Sequence, residues 1–216
     1  LFANSNIPII SEELGTVELA KRQQWPRYWL LDPIDGTGEF ILGSGDFAVN
    51  IALIEQGWPT IGVIHAPDKQ LTYYAQKGAG AFKEDQQQTE RLSVADFDGQ
   101  RKIKVAVSRR QKLDVIGQYL SDDFEYEYIA LGSCSLKNCI IAEGLADGYL
   151  RIGPTGEWDT GASQCILEQA GGKILDSEFA NLSYNQRETL LNPDFISLGN
   201  HAIPWPEVIK PHRARR

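Results

Sequence analysis

The sequence predicts an α/β protein with a sheet-rich first half and a second half in which strands alternate with helices. Two observations carry that reading. Up to residue 83, short β-branched and aromatic runs follow one another with only turn residues between them. Beyond residue 101, such runs alternate with segments whose apolar residues recur at helical spacing. The polar, Gln- and Asp-rich stretch Glu84–Arg101 is the expected boundary. It divides the 216 residues into a sheet-rich half, 1–100, and an α/β half, 101–216.

Taken in order, Ile7-Pro8-Ile9-Ile10 reads as a strand, with Glu12 just past its end. Tyr28–Leu31 is a strand expected to stop at Asp32-Pro33. Strands at Phe47–Ile54, Thr60–His65, Leu71–Ala75 and Gly80–Lys83 form an antiparallel meander, with turns at Gln56–Pro59 and Lys77–Gly80. In the second half, Ile103–Val107 is a strand and Arg109–Leu120 a helix with Leu113, Ile116 and Leu120 on one face. Tyr126–Ala130 is a strand, and Leu136, Cys139 and Ile140 mark a helix running to about Glu143. Gly148–Ile152 is a strand. Asp159–Ala170 is a helix closed by Gly171-Gly172, and Lys173–Leu175 follows as a strand.

Composition narrows the function. With 21 basic and 29 acidic residues the chain carries a net charge of −8, which argues against a nucleic-acid binder. No uncharged apolar run is long enough for a membrane span, and no signal peptide is visible. The short basic end Arg213–Arg216 could touch the cytoplasmic face of an inner membrane, but so few charges bind weakly. Three sparse cysteines, Cys134, Cys139 and Cys165, form no Cys-x-x-Cys pair; a reducing, cytoplasmic setting follows, with Cys134 and Cys139 as packing residues. Gly43-x-Gly45-x-x-Ala48 precedes a strand instead of opening a helix after one, so it is not a dinucleotide fingerprint. Phosphate-loop and nucleophile-elbow motifs are absent.

The informative stretch is Asp32-Pro33-Ile34-Asp35-Gly36-Thr37. Two carboxylates three residues apart flank a proline that fixes one φ angle, and a glycine follows that frees the backbone to turn. Such a turn can aim Asp32, Asp35 and the Ile34 carbonyl at one point, a density of hard oxygens that suits Mg²⁺. Ordinary loop residues are the competing reading. Glu12 and the helix-opening Glu157-Trp158-Asp159 add carboxylates, each with a structural alternative: a surface Glu, and an N-cap Asp.

Three segments together are distinctive. Trp29–Phe40 (WLLDPIDGTGEF), Glu157–Ala162 (EWDTGA) and Ile10–Glu13 (ISEE) resemble, in order and approximate spacing, the signatures of the inositol monophosphatase superfamily. Phe47–Ile54, Gly62–Pro67, Ser135–Cys139, Ala142–Asp147, Arg151–Thr160 and Leu191–Pro193 bring the resemblance closest to its 3′(2′),5′-bisphosphate nucleotidases. The resemblance implies a layered αβαβα sugar-phosphatase sandwich. It also implies Mg²⁺-dependent, Li⁺-sensitive release of the 3′-phosphate of adenosine 3′,5′-bisphosphate, or its sulfated form, to give AMP and phosphate. Alternatives are an inositol or other sugar phosphatase and an inactive nucleotide-binding module. A homodimer is compatible with either class.

Carried over by motif, Glu12, Asp32, Ile34 (through its carbonyl), Asp35 and Asp159 would hold the metals, two or three per site. Thr37 and Glu12 would be catalytic. Glu12, Ile34, Asp35, Gly36, Thr37 and Asp159 would also face the substrate, with Gly36 and Thr37 on the scissile phosphate. Ser108-Arg109 and Ser133–Lys137 match regions around the nucleoside and its distal phosphate. Lys137 and Arg151 are each read either as phosphate partners or as solvated basic side chains. Two departures stand out: Gly38 where the family often has Lys, and Gly161 where it usually has Ala. The family also places helices before the Glu motif, one bearing an Asp that pairs with the motif Thr. No such segment precedes Leu1, so these helices are expected to be missing from this chain.

Overall fold

The computed structural model describes residues 6–210, so the basic end at 213–216 lies outside it. Seven strands form the first sheet in sequence order: β1 (Ile9–Ser11), β2 (Arg27–Asp35), β3 (Ala48–Glu55), β4 (Trp58–Ala66), β5 (Leu71–Gln76), β6 (Gly80–Glu84) and β7 (Thr89–Arg91). From β3 onward short turns permit only antiparallel pairing, which gives the expected meander, and β2 joins β3 antiparallel through the longer link 36–47. β1 is added parallel to β2, with Ser11 opposite Leu31. The second sheet has the order β11 (Lys173–Asp176), β12 (Phe195–Leu198), β10 (Gly148–Arg151), β8 (Ile103–Ser108) and β9 (Tyr126–Leu131).

The helices are α1 (Leu19–Arg22), α2 (Thr37–Leu42), α3 (Leu113–Gly117), α4 (Cys134–Ala142), α5 (Glu157–Gln169) and α6 (Trp205–Val208). α4 and α5 lie between the sheets. α5 packs on β2 through β6 and α4 on β8, β10 and β12, so both halves share one core. All nine residues of α4 are buried, as a helix covered on both sides requires. A second cluster, with Ile116, Trp205 and Val208 against Val105, Leu150 and Ile196, covers the far face of the second sheet. The far face of the first sheet carries Trp29, Leu31, Ile51, Ile61 and Val63, all half-buried. Among the described residues the layers run sheet, helices, sheet, helices, which are the last four layers of the expected αβαβα sandwich.

Several boundaries differ from the expectation. β2 does not stop at Asp32-Pro33 but runs to Asp35, its register shifting between Asp32 and Asp35. A bulge is where a sheet accommodates a proline that cannot donate. The helix expected over Arg109–Leu120 shrinks to Leu113–Gly117, because residues 108–111 form a turn closed by the Gln111 amide on the Ser108 carbonyl. α1, α2, β7, β12 and α6 are additions. β12 is fully buried and only four residues long, so it shows no alternation to read. Gly171 closes α5 as expected, at φ +101°.

Candidate active site

The site forms where the end of the first sheet meets the N-termini of α4 and α5. Parallel pairing of β1 with β2 continues one residue past the strand, the Glu12 amide donating to the Leu31 carbonyl at 3.3 Å. That pairing sets Glu12 beside Asp32. The bulge in β2 then presents Asp32 and Asp35 on one side. Gly36 follows at φ +90°, a conformation that favours glycine, and a Cβ there would crowd the Asp46 carbonyl at 3.1 Å. The chain turns directly into α2, and the Thr37 hydroxyl donates to the Ile34 carbonyl at 3.2 Å.

Asp32, Asp35 and Asp159 offer oxygens that all lie within 4.8 Å of one another. Their electrostatics are adverse. Burial, then the charges of Asp35, Asp159 and Glu12, push Asp32 up to about 8. Burial and the Asp35 charge push Asp159 up to about 7 against the opposing Gly156 amide. Glu12 is raised as well, mainly by burial. Asp32 is fully buried; its Oδ1 accepts from the Ile34 amide at 2.9 Å, while its Oδ2 has no partner among the described residues. An orphaned buried carboxylate oxygen among like charges is stabilised by a cation. An all-oxygen donor set fits a hard divalent ion such as Mg²⁺.

Asp35 is held differently. Its Oδ2 accepts from the Ser135 amide at 2.8 Å and from the hydroxyls of Ser133 and Ser135, and its Oδ1 from the Cys134 amide at 3.2 Å. The first residues of α4 thus wrap one carboxylate. Asp159 sits at the third position of α5, with the Gly156 amide donating to its Oδ2 at 2.6 Å. It serves the helix start and the acidic cluster at once, though the capping residue is Gly156, not Asp159. Asn192 fixes that turn, its amide nitrogen donating to the Gly156 carbonyl at 2.7 Å.

A cleft of about 280 Å³ opens over Asp35, Gly36 and Asp159, with Arg110, Lys137 and Arg151 in its lining. Lys137 is not solvated: it is 1% exposed, and its ammonium donates to the carbonyls of Leu131, Gly132 and Ser133. It also stands over the Tyr149 ring, 5.0 Å from the centroid. With its hydrogens so used, Lys137 holds the loop before α4, which corrects the alternative reading of it as a solvated side chain. Arg151 is half-buried at the cleft, one terminal nitrogen donating to the Pro154 carbonyl at 3.0 Å. Sequence reasoning missed the grip of Ser133 and Ser135 on Asp35, though the Ser-x-Ser start of a helix carries its signal. Cys134, Cys139 and Cys165 are free and buried, the Tyr149 hydroxyl facing Cys134 Sγ at 3.9 Å.

The chain is similar to known proteins in sequence and in fold. Residues 3–202 match the inositol monophosphatase family. The 3′(2′),5′-bisphosphate nucleotidase CysQ of Haemophilus influenzae is 39% identical over 95% of this chain and 76% of its own length. That of Salmonella typhimurium is 44% identical over 88% of this chain and 75% of its own. The crystal structure of CysQ from Bacteroides thetaiotaomicron superposes with a TM-score of 0.81 at 36% identity, covering 91% of this chain and 78% of that one. An IMPase/NADP phosphatase solved with Mg²⁺ and phosphate shares the fold, with a TM-score of 0.73 at 18% identity over 90% of this chain and 69% of that one.

Proposed function

The chain belongs to the inositol monophosphatase family, and from that premise we propose that it is a metal-dependent phosphatase that removes the 3′-phosphate of adenosine 3′,5′-bisphosphate, giving AMP and phosphate. The observation that carries the chemistry is the cluster of buried Asp32 and Asp35 with half-buried Asp159, and its orphaned Asp32 oxygen. The CysQ relatives carry the substrate.

Glu12, Asp32, Asp35, Asp159 and the Ile34 carbonyl would hold Mg²⁺, two or three ions per site. When bound, the metal supplies a Lewis acid for the phosphoryl oxygen and lowers the pKa of water. The chain's own residues arrange the rest. Ser133, Ser135 and the Cys134 and Ser135 amides orient Asp35. Thr37, whose hydroxyl lies 3.2 Å from the Ile34 carbonyl, would orient the attacking water together with Glu12, and Gly36 would leave the backbone open to the scissile phosphate. Arg151 faces a phosphate from the cleft wall. Residues 1–100 supply most metal donors, and residues 101–216 complete the site through Asp159 and form the nucleotide side. Free, buried cysteines suit a reducing cytoplasm. Among the described residues no helix is long and apolar enough to cross a membrane.

Phosphate release from adenosine 3′,5′-bisphosphate tests this directly. Release is expected with Mg²⁺, absent in EDTA, restored by excess Mg²⁺ and depressed by Li⁺. Faster release from an inositol or sugar phosphate in the same panel would move the substrate; nucleotide binding without release would move the function to a binding module.

A further inference from the structure

One basic side chain in the cleft is explained neither by the motifs nor by the acidic cluster. Arg110 lines it beside Asp35, Gly36, Arg151 and Asp159. Its guanidinium rests directly on the backbone of Gly38. A Cβ built at residue 38 would stand 2.5 Å from both terminal nitrogens and 2.7 Å from the central carbon. Real Cβ atoms do not come that close, so the guanidinium occupies this place only because residue 38 has no side chain.

The anchorage of Arg110 is weak. Among the described residues its guanidinium has one polar partner, Glu39, with Nε 3.6 Å from Oε1, and the side chain is 60% exposed. That separation is too long for a hydrogen bond. Glu39 is itself engaged by the Ser44 hydroxyl at 2.6 Å and by Arg109 at 3.6 Å. Arg109, the neighbour that the sequence singles out, is committed elsewhere: its Nη2 lies 2.6 Å from Oδ2 of buried Asp46. Arg110 therefore brings uncommitted, planar N–H donors to the mouth of a cleft whose floor is carboxylate. Such a group binds phosphate oxygens in a bidentate manner, and a cation there offsets repulsion between an acidic floor and an anionic substrate.

We infer that Gly38 and Arg110 act as one substrate-binding device: Gly38 leaves open the surface on which Arg110 lies, and Arg110 binds a phosphate group of the substrate. This rests on the phosphatase reading above.

The test is a double-mutant cycle with Gly38→Ala and Arg110→Ala, assayed on adenosine 3′,5′-bisphosphate and on adenosine 3′-monophosphate, with circular dichroism to verify folding. Arg110→Ala is expected to raise KM about ten- to a hundredfold, the loss of a charge-assisted pair, while kcat stays within about threefold. Arg110→Lys recovers only part of the loss, because the fork is gone. Gly38→Ala, a favourable change for a helix by itself, raises KM when Arg110 is present and has little effect when it is absent. A loss seen only with the bisphosphate assigns Arg110 to the non-scissile phosphate; an equal loss with both substrates assigns it to the scissile one. The inference is overturned if Arg110→Ala leaves KM within about twofold. It is also overturned if kcat falls at constant KM, or if Gly38→Ala acts equally in both backgrounds. If the parent protein releases no phosphate from either nucleotide, the functional reading fails instead. Calorimetric binding of inorganic phosphate to the parent and to Arg110→Ala then decides the role of Arg110, with equal affinity overturning it.

Discussion

On one side of the cleft stand buried Asp32 and Asp35 and half-buried Asp159, close together and supported by rigid elements: a bulged strand inside the sheet and the start of a thirteen-residue helix. On the other side, buried Lys137 of α4 apart, the basic residues come from loops and strand ends. Arg109 and Arg110 are exposed on the turn after β8, and Arg151 ends β10. The acidic side is costly to assemble and has little freedom. The basic side is cheap to rearrange, because each ion pair there is at least partly solvated. On the proposed function, chemistry that needs fixed donors would sit on the rigid side, and selection among phosphorylated substrates would fall to the adaptable one.

The largest effect is expected where the rigid side loses a donor. Asp32→Asn should reduce phosphate release by about a thousandfold or more. It should also raise the metal-free protein's stability by about 1 kcal/mol, since a buried like charge is removed. Kinetics beside thermal unfolding in EDTA read both. Unchanged activity would remove Asp32 from the metal set. Asp35→Asn should lose activity too but gain no stability, because an amide NH₂ would face donors from Ser133 and Ser135.

Next come the hydroxyls that orient Asp35. Changing Ser133 and Ser135 together to Ala should weaken Mg²⁺ activation about ten- to a hundredfold, read as a shift in the Mg²⁺ concentration for half-maximal rate. Gly132→Ala tests the seam between the two sides. Its Cβ would fall 2.3 Å from Glu39 Cγ and 2.9 Å from Asp46 Cβ, and the strain should cost about 1–3 kcal/mol in urea unfolding. The smallest effect belongs to Arg109→Ala. Asp46 keeps Lys69 at 2.8 Å and the Gly132 amide at 3.2 Å, so the loss should be about 1 kcal/mol with KM unchanged. A large rise in KM would make Arg109, like Arg110, a substrate residue and blur the contrast.

The sequence by itself determined the meander, the main helices and the acidic donors. Alternating apolar patterns, Gly turns and the Asp-Pro-Ile-Asp-Gly-Thr stretch are local signals, set by backbone sterics within a few residues. Only the tertiary structure decided how distant groups meet. It carried β2 through its proline by way of a bulge, and it cut the helix after β8 short as the chain turned toward Glu39 and Asp46. It also buried Lys137 under three carbonyls and set Arg110 rather than Arg109 free over Gly38. No local pattern encodes where Arg110 lies, because the empty volume over Gly38 arrives from a distant element, whereas the carbonyls that hold Lys137 lie only four to six residues upstream of it.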